Sequence, residues 1–161
     1  FTHALNWLNE VEGYQPDLVV HLRPTGPART IINIDRAISI FLENMECDSL
    51  RSVSLADQTP FKMWLHKKNR LHPAMQIDHD LSSTPRQMLE KVYWQNGYID
   101  IVRPKTILKL KSMTGKNVLP FIINNIKDID YFHDIPIVEE HLKKIISGEH
   151  SDEQEEDFYA V

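Results

Sequence analysis

The sequence predicts a mixed α/β protein in which helices and strands alternate along the chain. Two observations support this class. Apolar residues recur with a helical period near the start and again between residues 31 and 42, and each of these stretches is followed by a short apolar or alternating run. The resulting order of helix, strand, loop, helix and strand is typical of a sheet built with right-handed crossovers.

The first half of the chain predicts two helices and two strands. Phe1–Val11 has a helical period, and Asp17–Leu22 is a short apolar run, typical of a buried strand, that follows a Gly and Pro break. Thr30 is a suitable N-cap for a second helix. The buried stripe of that helix is predicted to be Ile31, Ile34, Ile38, Phe41 and Leu42. Asp48–Leu55 alternates and predicts a second strand.

The second half predicts an excursion from the sheet, followed by strands and two more helices. Pro60–His66 is less regular than the strands before it, and Lys67–Arg86 is polar. Val92–Val102 predicts a strand pair or one long strand bent at Gly97. A short helix (Pro104–Leu110) and a strand (Val118–Ile123) follow. The last predicted element is a helix from Asp134 to Gly148, with the buried stripe Val138, Leu142, Ile145 and Ile146. We expect residues 1–148 to form one domain.

Charge and composition argue against several classes of partner. The chain has 161 residues and a net charge of −5, and the polar, acidic stretch 149–157 predicts a disordered tail over residues 149–161. No continuous basic stripe and no apolar run near the ~20 residues of a membrane helix occur, so neither nucleic acid nor a membrane is an expected partner. The single cysteine, Cys47, and a start without a signal-peptide pattern favour the cytoplasm.

Three polar stretches are candidates for a functional site, because ligands of open α/β sheets bind at the carboxyl ends of the strands. The first is the loop Arg23–Arg29, which follows the first predicted strand and carries two arginines, a threonine and a glycine. Guanidinium groups in such a loop can bind carboxylate or phosphate. A rigid turn with solvated arginines fits the same composition equally well.

The second candidate surrounds the aromatic pair Tyr93–Trp94. Pro85–Gln87 precedes this pair and Asn96–Gly97 follows it. Polar groups beside aromatic walls suit a sugar or a base. A strand with a buried aromatic and an Asn-Gly turn is the slightly favoured alternative from these residues alone.

The third candidate is the segment Asp128-Ile129-Asp130. Residues two apart in an extended segment face the same side, so both carboxylates can converge on one hard cation. Mg²⁺ accompanied by phosphates is the usual ligand of such a pair. Acidic pairs are also common at strand ends, so the pattern by itself is weak evidence.

Taken together and in order, these stretches resemble the motifs of the acylneuraminate cytidylyltransferases. The matching segments are 22–30 (LRPTGPART), 61–64 (FKMW), 85–87 (PRQ) with 92–101 (VYWQNGYIDI), 113–121 (MTGKNVLPF) and 128–134 (DIDYFHD). The resemblance runs in unbroken order from about residue 1 to about residue 147. Each segment alone is a weak match, and five in register identify the family.

The resemblance implies a fold and a reaction. The fold would be a Rossmann-like nucleotidyltransferase sheet with helices on both faces and a protruding arm at about residues 60–95 that pairs two subunits in a homodimer. The enzyme would transfer CMP from CTP to the anomeric hydroxyl of a nine-carbon acidic keto-sugar and release pyrophosphate. Mg²⁺ would neutralise the charge of the phosphates.

Roles for individual residues follow from the same resemblance. Asp130 would hold the metal, with Asp128 beside it. Three residues would contact the acid sugar, namely Arg23, Arg86 and Asn96. Thr25 and Arg29 would lie in the loop that faces nucleotide and sugar. Gln87 is a further candidate, as is Phe121 or its neighbourhood for the N-acyl side of the sugar. The catalytic set would be Asp130, Asp128 and Arg23.

Departures from the family pattern predict a variant sugar, such as legionaminic or pseudaminic acid. Gly26 stands where serine is common, Ala28 where leucine is common, Glu90 where proline is usual, Tyr131 where a small hydroxyl residue is usual, and Trp94 where some relatives carry arginine. The glycine-rich basic loop that opens the family and grips the CTP triphosphate does not occur in this sequence. We therefore expect this stretch to be the later two-thirds of such a domain and to be inactive by itself.

Two rival functions stay open. One is the sister enzyme that activates an eight-carbon sugar, 3-deoxy-manno-octulosonate. The other is a non-catalytic paralogue, or a binding module, on the same fold. The stretch from Pro85 to Asn96 favours the sialic-type branch, and the acidic and basic candidate residues argue against a loss of chemistry.

Overall fold

Helices and strands alternate along the part of the chain that the structure describes. The structure is a computed structural model that describes residues 1–75 and 81–148. The helices are α1 (Thr2–Glu12), α2 (Ile31–Glu43), α3 (Pro104–Leu110) and α4 (Ile135–Ser147), and the strands are β1 (Val19–His21), β2 (Ser49–Leu55), β3 (Trp64–Lys67), β4 (Arg70–Pro73), β5 (Tyr93–Val102) and β6 (Val118–Ile122). The predicted tail 149–161 and residues 76–80 of the predicted excursion lie outside the described residues.

The chain contains two compact units. One unit is formed by Phe1–Val53 together with the chain from Gln95 onward, and the other is the continuous segment Ser54–Trp94. The polar excursion predicted from sequence therefore lies in a unit of its own.

The main sheet has the strand order β1-β5-β2-β6. β1 runs antiparallel to β5, with Val19 opposite Val102. β2 runs parallel to β6, with Ser49 opposite Val118. The predicted α/β class is therefore confirmed, and the sheet is mixed in strand direction.

Apolar residues pack on both faces of this sheet. Ile101 of β5 belongs to a cluster with the fully buried Phe41 of α2. Val102, the next residue, belongs to a second cluster with Leu5 of α1 and Ile107 of α3. Because neighbouring residues of a strand point to opposite faces, α2 covers one face while α1 and α3 cover the other.

The strand predicted as buried over Asp17–Leu22 is shorter and more exposed than expected. β1 contains three residues, and Val20 keeps 36% of its surface exposed. The reason is its position at the end of the strand order, where β5 is its neighbour among the described strands. A short apolar run predicts a strand but does not reveal how many neighbours that strand has.

The predicted helical stripes are correct in part. In α2, Phe41 is fully buried, whereas Ile31 is 76% exposed and Leu42 is 47% exposed. In α4, Val138 is buried and Ile146 is 77% exposed. Leu42 and Ile146 each directly follow a more buried residue of the same stripe and therefore point about 100° away from it around the helix, and Ile31 is the first residue of α2.

One of the two predicted helix caps forms as expected. The Thr30 hydroxyl oxygen accepts a hydrogen bond from the N–H group three residues later, at 3.3 Å. Asp134 is the N-cap residue of α4, but its side chain makes no capping hydrogen bond. Its carboxylate accepts hydrogen bonds from the N–H groups of Asp130 (3.1 Å) and Tyr131 (2.7 Å), and so closes the preceding turn.

A buried arginine joins the end of α2 to the start of α3. Arg103, which is 8% exposed, donates from Nε to the Cys47 carbonyl at 2.9 Å and from Nη2 to the carbonyls of Phe41 (3.3 Å) and Asn44 (3.2 Å). We expect Arg103→Met to lower the free energy of unfolding by about 3 kcal/mol, because it leaves these carbonyls without their charged donor. Urea denaturation measures this loss. An equal loss in Lys109→Met, an exposed neighbour on α3, would contradict the interpretation.

A carboxylate at the start of β2 organises the loop before β6. Asp48 accepts hydrogen bonds from the N–H groups of Lys116 (2.9 Å) and Asn117 (3.2 Å), and these bonds lower the pKa of its carboxyl. A lowered pKa in the folded state stabilises the fold above the unfolded pKa, and this contribution is lost as the pH falls through the folded pKa.

We therefore expect Asp48→Asn to lose less stability on acidification than the wild type does. The free energy of unfolding is to be compared at about pH 6 and about pH 3, which lies below the ordinary pKa of an aspartate in the unfolded chain. Asp35→Asn, an exposed position on α2, is the matched control and should behave like the wild type. Identical acid sensitivity in wild type and Asp48→Asn would refute this role.

The second unit contains a two-stranded hairpin that the sequence analysis missed. β3 and β4 are antiparallel and are joined by Lys68 and Asn69, both with positive φ. Asparagine tolerates this conformation and lysine rarely adopts it, so the turn signal was incomplete. All residues of both strands are exposed.

Among the described helices, none has the length and apolar character needed to cross a membrane.

Candidate functional site

The loop after β1 lies beside the acidic segment near the end of the described chain. The Thr25 carbonyl accepts a hydrogen bond from the N–H of Ile129 at 2.8 Å. Within the loop, Gly26 donates its N–H to the Arg23 carbonyl at 3.2 Å. Two of the predicted stretches, the arginine loop and Asp128–Asp130, are therefore neighbours in the first unit.

Arg29 fastens this loop to β5. Its Nε donates to the Tyr98 carbonyl at 2.6 Å, and its other nitrogens donate to the carbonyls of Gly26 and Gly97. Burial lowers the pKa of the guanidinium, while the nearby carboxylate of Asp128 acts in the opposite direction. The predicted role of Arg29 toward a ligand stays a prediction; its hydrogen bonds go to backbone carbonyls, and its guanidinium lies over the Tyr98 ring, 5.7 Å from the ring centre.

Asn96 is buried and its amide bonds to the main chain. Its Nδ2 donates to the Ile123 carbonyl at 3.1 Å, and its Oδ1 accepts the N–H of Tyr98 at 3.1 Å. These bonds hold the bend of β5 at Gly97, where φ is 70°. A side chain at Gly97 would meet the Arg23 side chain at 3.2 Å, so glycine allows that arginine to lie against the strand.

Asp100 is the central residue of the site, and sequence reasoning missed it. Its carboxylate is 1% exposed and lies 2.8 Å from Nη1 of Arg51 and 3.3 Å from Nη2 of Arg23. Gln95 Nε2 donates to it at 3.2 Å, and His21 Nδ1 lies 3.9 Å away. An aspartate in the apolar strand YIDIV is a signal, because a buried charge requires partners.

The two arginines are incompletely satisfied by this carboxylate. Arg51 also donates from Nη2 to the Met113 carbonyl and to Thr114 Oγ1, the latter at 3.0 Å. The Nε atoms of Arg23 and Arg51 are buried and have no hydrogen-bond partner among the described residues. The cluster therefore has an unused capacity to donate hydrogen bonds to an anion.

Asp128 and Asp130 have the chemistry of a magnesium site. Asp128 is half-buried and its Oδ1 accepts the N–H of Ile129 at 3.0 Å, whereas the side chain of Asp130 is exposed. Mg²⁺ usually takes one or two carboxylates and completes its shell with water and substrate phosphates, so this pair fits it. Over residues 1–75 and 81–148, no group of three or more His, Cys, Asp or Glu side chains gathers.

The remaining predicted residues lie in the hydrophobic core or in the other unit. Phe121 is 2% exposed and packs in the core cluster with Phe41. Arg86 and Gln87 are exposed residues of the second unit, in a short 3₁₀ turn, where Arg86 donates to the Asp57 carbonyl. The N-acyl contact predicted for Phe121 is untested, and the structure gives that residue a packing role.

The described residues thus gather part of the predicted site in the first unit, namely Arg23, Thr25, Arg29, Asn96, Asp128 and Asp130, and they add Arg51 and Asp100. No protein-family model matches this chain, and a search of curated proteins finds no match for it. The case for a function therefore depends on the residues of the chain itself.

Proposed function

We propose that this protein transfers CMP from CTP to the anomeric hydroxyl of a nine-carbon acidic keto-sugar and releases pyrophosphate. One observation carries the proposal: the hydrogen bond from Ile129 N–H to the Thr25 carbonyl joins the arginine loop to the acidic segment. A guanidinium able to bind a carboxylate and carboxylates able to bind a cation are then neighbours.

Each residue has a distinct role in this proposal. Asp130, with Asp128 beside it, would hold Mg²⁺, which neutralises phosphate charge when it is bound. Arg23 would bind the carboxylate of the sugar. Thr25 and Arg29 shape the loop that faces the nucleotide and the sugar. The sugar contacts proposed for Arg86, Gln87, Asn96 and Phe121 derive from the resemblance alone.

The same proposal includes the finer fold and the assembly. We infer a Rossmann-like nucleotidyltransferase sheet, a homodimer formed through the arm at about residues 60–95, and a cytoplasmic enzyme. The hairpin supports the dimer, because Trp64, Leu65 and Leu71 are 46%, 44% and 62% exposed. An isolated two-stranded hairpin is marginally stable, and apolar side chains on it are typical of a contact surface.

A second candidate function is a non-catalytic module on the same scaffold. The observation that favours it is the engagement of Arg29 and Asn96 with backbone carbonyls and N–H groups. Side chains committed in this way stabilise a loop without contacting a substrate. The two candidates differ in one measurable respect, since the module releases no pyrophosphate.

The decisive experiment measures pyrophosphate release from CTP in the presence of Mg²⁺ by the full-length protein. The acceptors are sialic, legionaminic and pseudaminic acids and the eight-carbon 3-deoxy-manno-octulosonate. We expect release with one nine-carbon acid, and none without an acceptor or with GTP in place of CTP. Release with the eight-carbon acid alone would support the sister activity, and no release with any acid would leave the non-catalytic module.

A further inference from the structure

Two arginines contact the buried carboxylate of Asp100, and they differ in how far their side chains are buried. Arg51, whose side chain is 11% exposed, lies on β2 and contacts Asp100 at 2.8 Å. Arg23 lies on the loop after β1, contacts the same carboxylate oxygen at 3.3 Å and keeps 43% of its side chain exposed. Arg51 is therefore mostly buried, and Arg23 extends from the buried carboxylate to the protein surface.

Arg51 is fixed on two sides, whereas Arg23 depends on Asp100. Arg51 also bonds to the Met113 carbonyl and to Thr114 Oγ1. The side chain of Arg23 lies against Gly97, and the carboxylate of Asp100 is its anionic contact among the described residues. Without that carboxylate, the guanidinium of Arg23 would be free to sample its many rotamers and would face the positive charge of Arg51.

The charge balance of the cluster predicts what it can accept. Two guanidinium groups face one carboxylate, so positive charge exceeds negative charge by one before His21 is counted. This count covers the cluster around Asp100 alone, since the neighbouring Arg29, Asp128 and Asp130 add one positive and two negative charges. Together with the two buried Nε atoms that lack acceptors in the described structure, this excess matches a single monovalent anion such as a carboxylate.

We propose that Asp100 is a positioning residue: it holds Arg23 toward the ligand and sets the charge of the site for one carboxylate group. The identity of the ligand, an acidic sugar, rests on the function proposed above. The arrangement of Arg23 by Asp100 does not depend on that function. Replacing Asp100 by asparagine would both release Arg23 and raise the net charge of the site by one, which favours divalent over monovalent anions.

The first test measures the mobility of the arginines in the complete protein. Side-chain ¹⁵N NMR should show a slowly exchanging Nε–H signal for Arg23, assigned by its loss in Arg23→Lys. We expect Asp100→Asn to broaden or remove that signal and to leave the Arg29 signal unchanged. An unchanged Arg23 signal in Asp100→Asn would overturn the proposal.

The second test measures affinity by calorimetry with N-acetylneuraminate, its methyl ester and inorganic sulfate. We expect the wild type to prefer the free acid to the ester. In Asp100→Asn, acid binding should weaken about tenfold because Arg23 is no longer positioned, and sulfate binding should strengthen because the cluster gains one positive charge. Asp35→Asn should match the wild type. A uniform weakening for all three probes would indicate a merely structural role and overturn the proposal.

Two further results distinguish a failure of the positioning role from a failure to fold and from a failure of the proposed function. If Asp100→Asn does not fold, the double variant Arg51→Met with Asp100→Asn removes the buried ion pair together, which is often tolerated. In that variant Arg23 should still lose its Nε–H signal, and a retained signal would overturn the proposal. If the wild type binds none of the acids while Arg23 mobility depends on Asp100, the proposed function fails and the positioning role stands.

Discussion

In the proposed transfer of CMP, Asp130→Ala is expected to abolish pyrophosphate release from CTP, lowering the rate about a thousandfold or more, as for the loss of several kcal/mol of transition-state stabilisation by a metal. The loss of rate should come from the reaction and not from unfolding, because the Asp130 side chain is exposed. Its backbone N–H donates to the Asp134 carboxylate at 3.1 Å. Removing the carboxylate leaves that turn intact. The initial rate at saturating CTP and Mg²⁺ measures the change.

The matched control for this prediction is Asp35→Ala, which removes an exposed carboxylate from α2. It should keep the wild-type rate, and both variants should keep the wild-type midpoint of thermal unfolding. Asp128→Ala should impair the rate less than Asp130→Ala does, since Asp128 is proposed as the neighbouring ligand. If Asp130→Ala keeps more than about a tenth of the wild-type rate, a metal-binding role for Asp130 is excluded.

Gly115→Ala should destabilise the first unit by roughly 2–5 kcal/mol, through steric overlap and an unfavourable backbone conformation together. A Cβ at this position would lie 2.3 Å from Cβ of Asp48 and 2.6 Å from its Oδ2. The φ of Gly115 is 76°, which disfavours any other residue. The clash would displace the carboxylate that accepts the N–H groups of Lys116 and Asn117. Urea denaturation measures the difference.

Gly13→Ala separates the two contributions. Gly13 ends α1 with a φ of 64°, and an added Cβ there would meet nothing within 4 Å. This variant should therefore lose only about 1 kcal/mol, the value expected for backbone conformation alone. Equal losses in Gly13→Ala and Gly115→Ala would show that contact with Asp48 contributes nothing.

Local patterns in the sequence were sufficient to predict most helices and strands. Thr30 caps α2 as predicted, and Gly148 ends α4 in the left-handed conformation. The edge position of β1 could not be predicted, because strand order depends on pairing between distant segments. The hairpin of β3 and β4 was not predicted because its turn lacks a typical sequence signal: Lys68 adopts a positive φ that lysine rarely takes.

The candidate site was predictable only in part, for a related reason. Arg23 and Asp128 were found because they lie in short polar motifs. Asp100 and Arg51 each lie within a strand and outside any polar motif, and the apolar neighbours of Asp100 indicate burial but not its partners. Their ion pair joins residues from two strands that are distant in sequence, so only the fold reveals it. The backbone contacts of Asn96 are likewise set by the bend at Gly97.

The long connection between β2 and β5, residues 56–92, affects how the chain folds during synthesis. These strands are neighbours in the sheet, yet most of the second unit separates them in sequence. Closing a loop of that length costs about 3 kcal/mol of chain entropy, which early formation of the local β3–β4 hairpin would reduce. As the chain leaves the ribosome, β2 and the apolar side of α2 have no partner strand until β5 emerges. The first unit is therefore most vulnerable to aggregation during that interval.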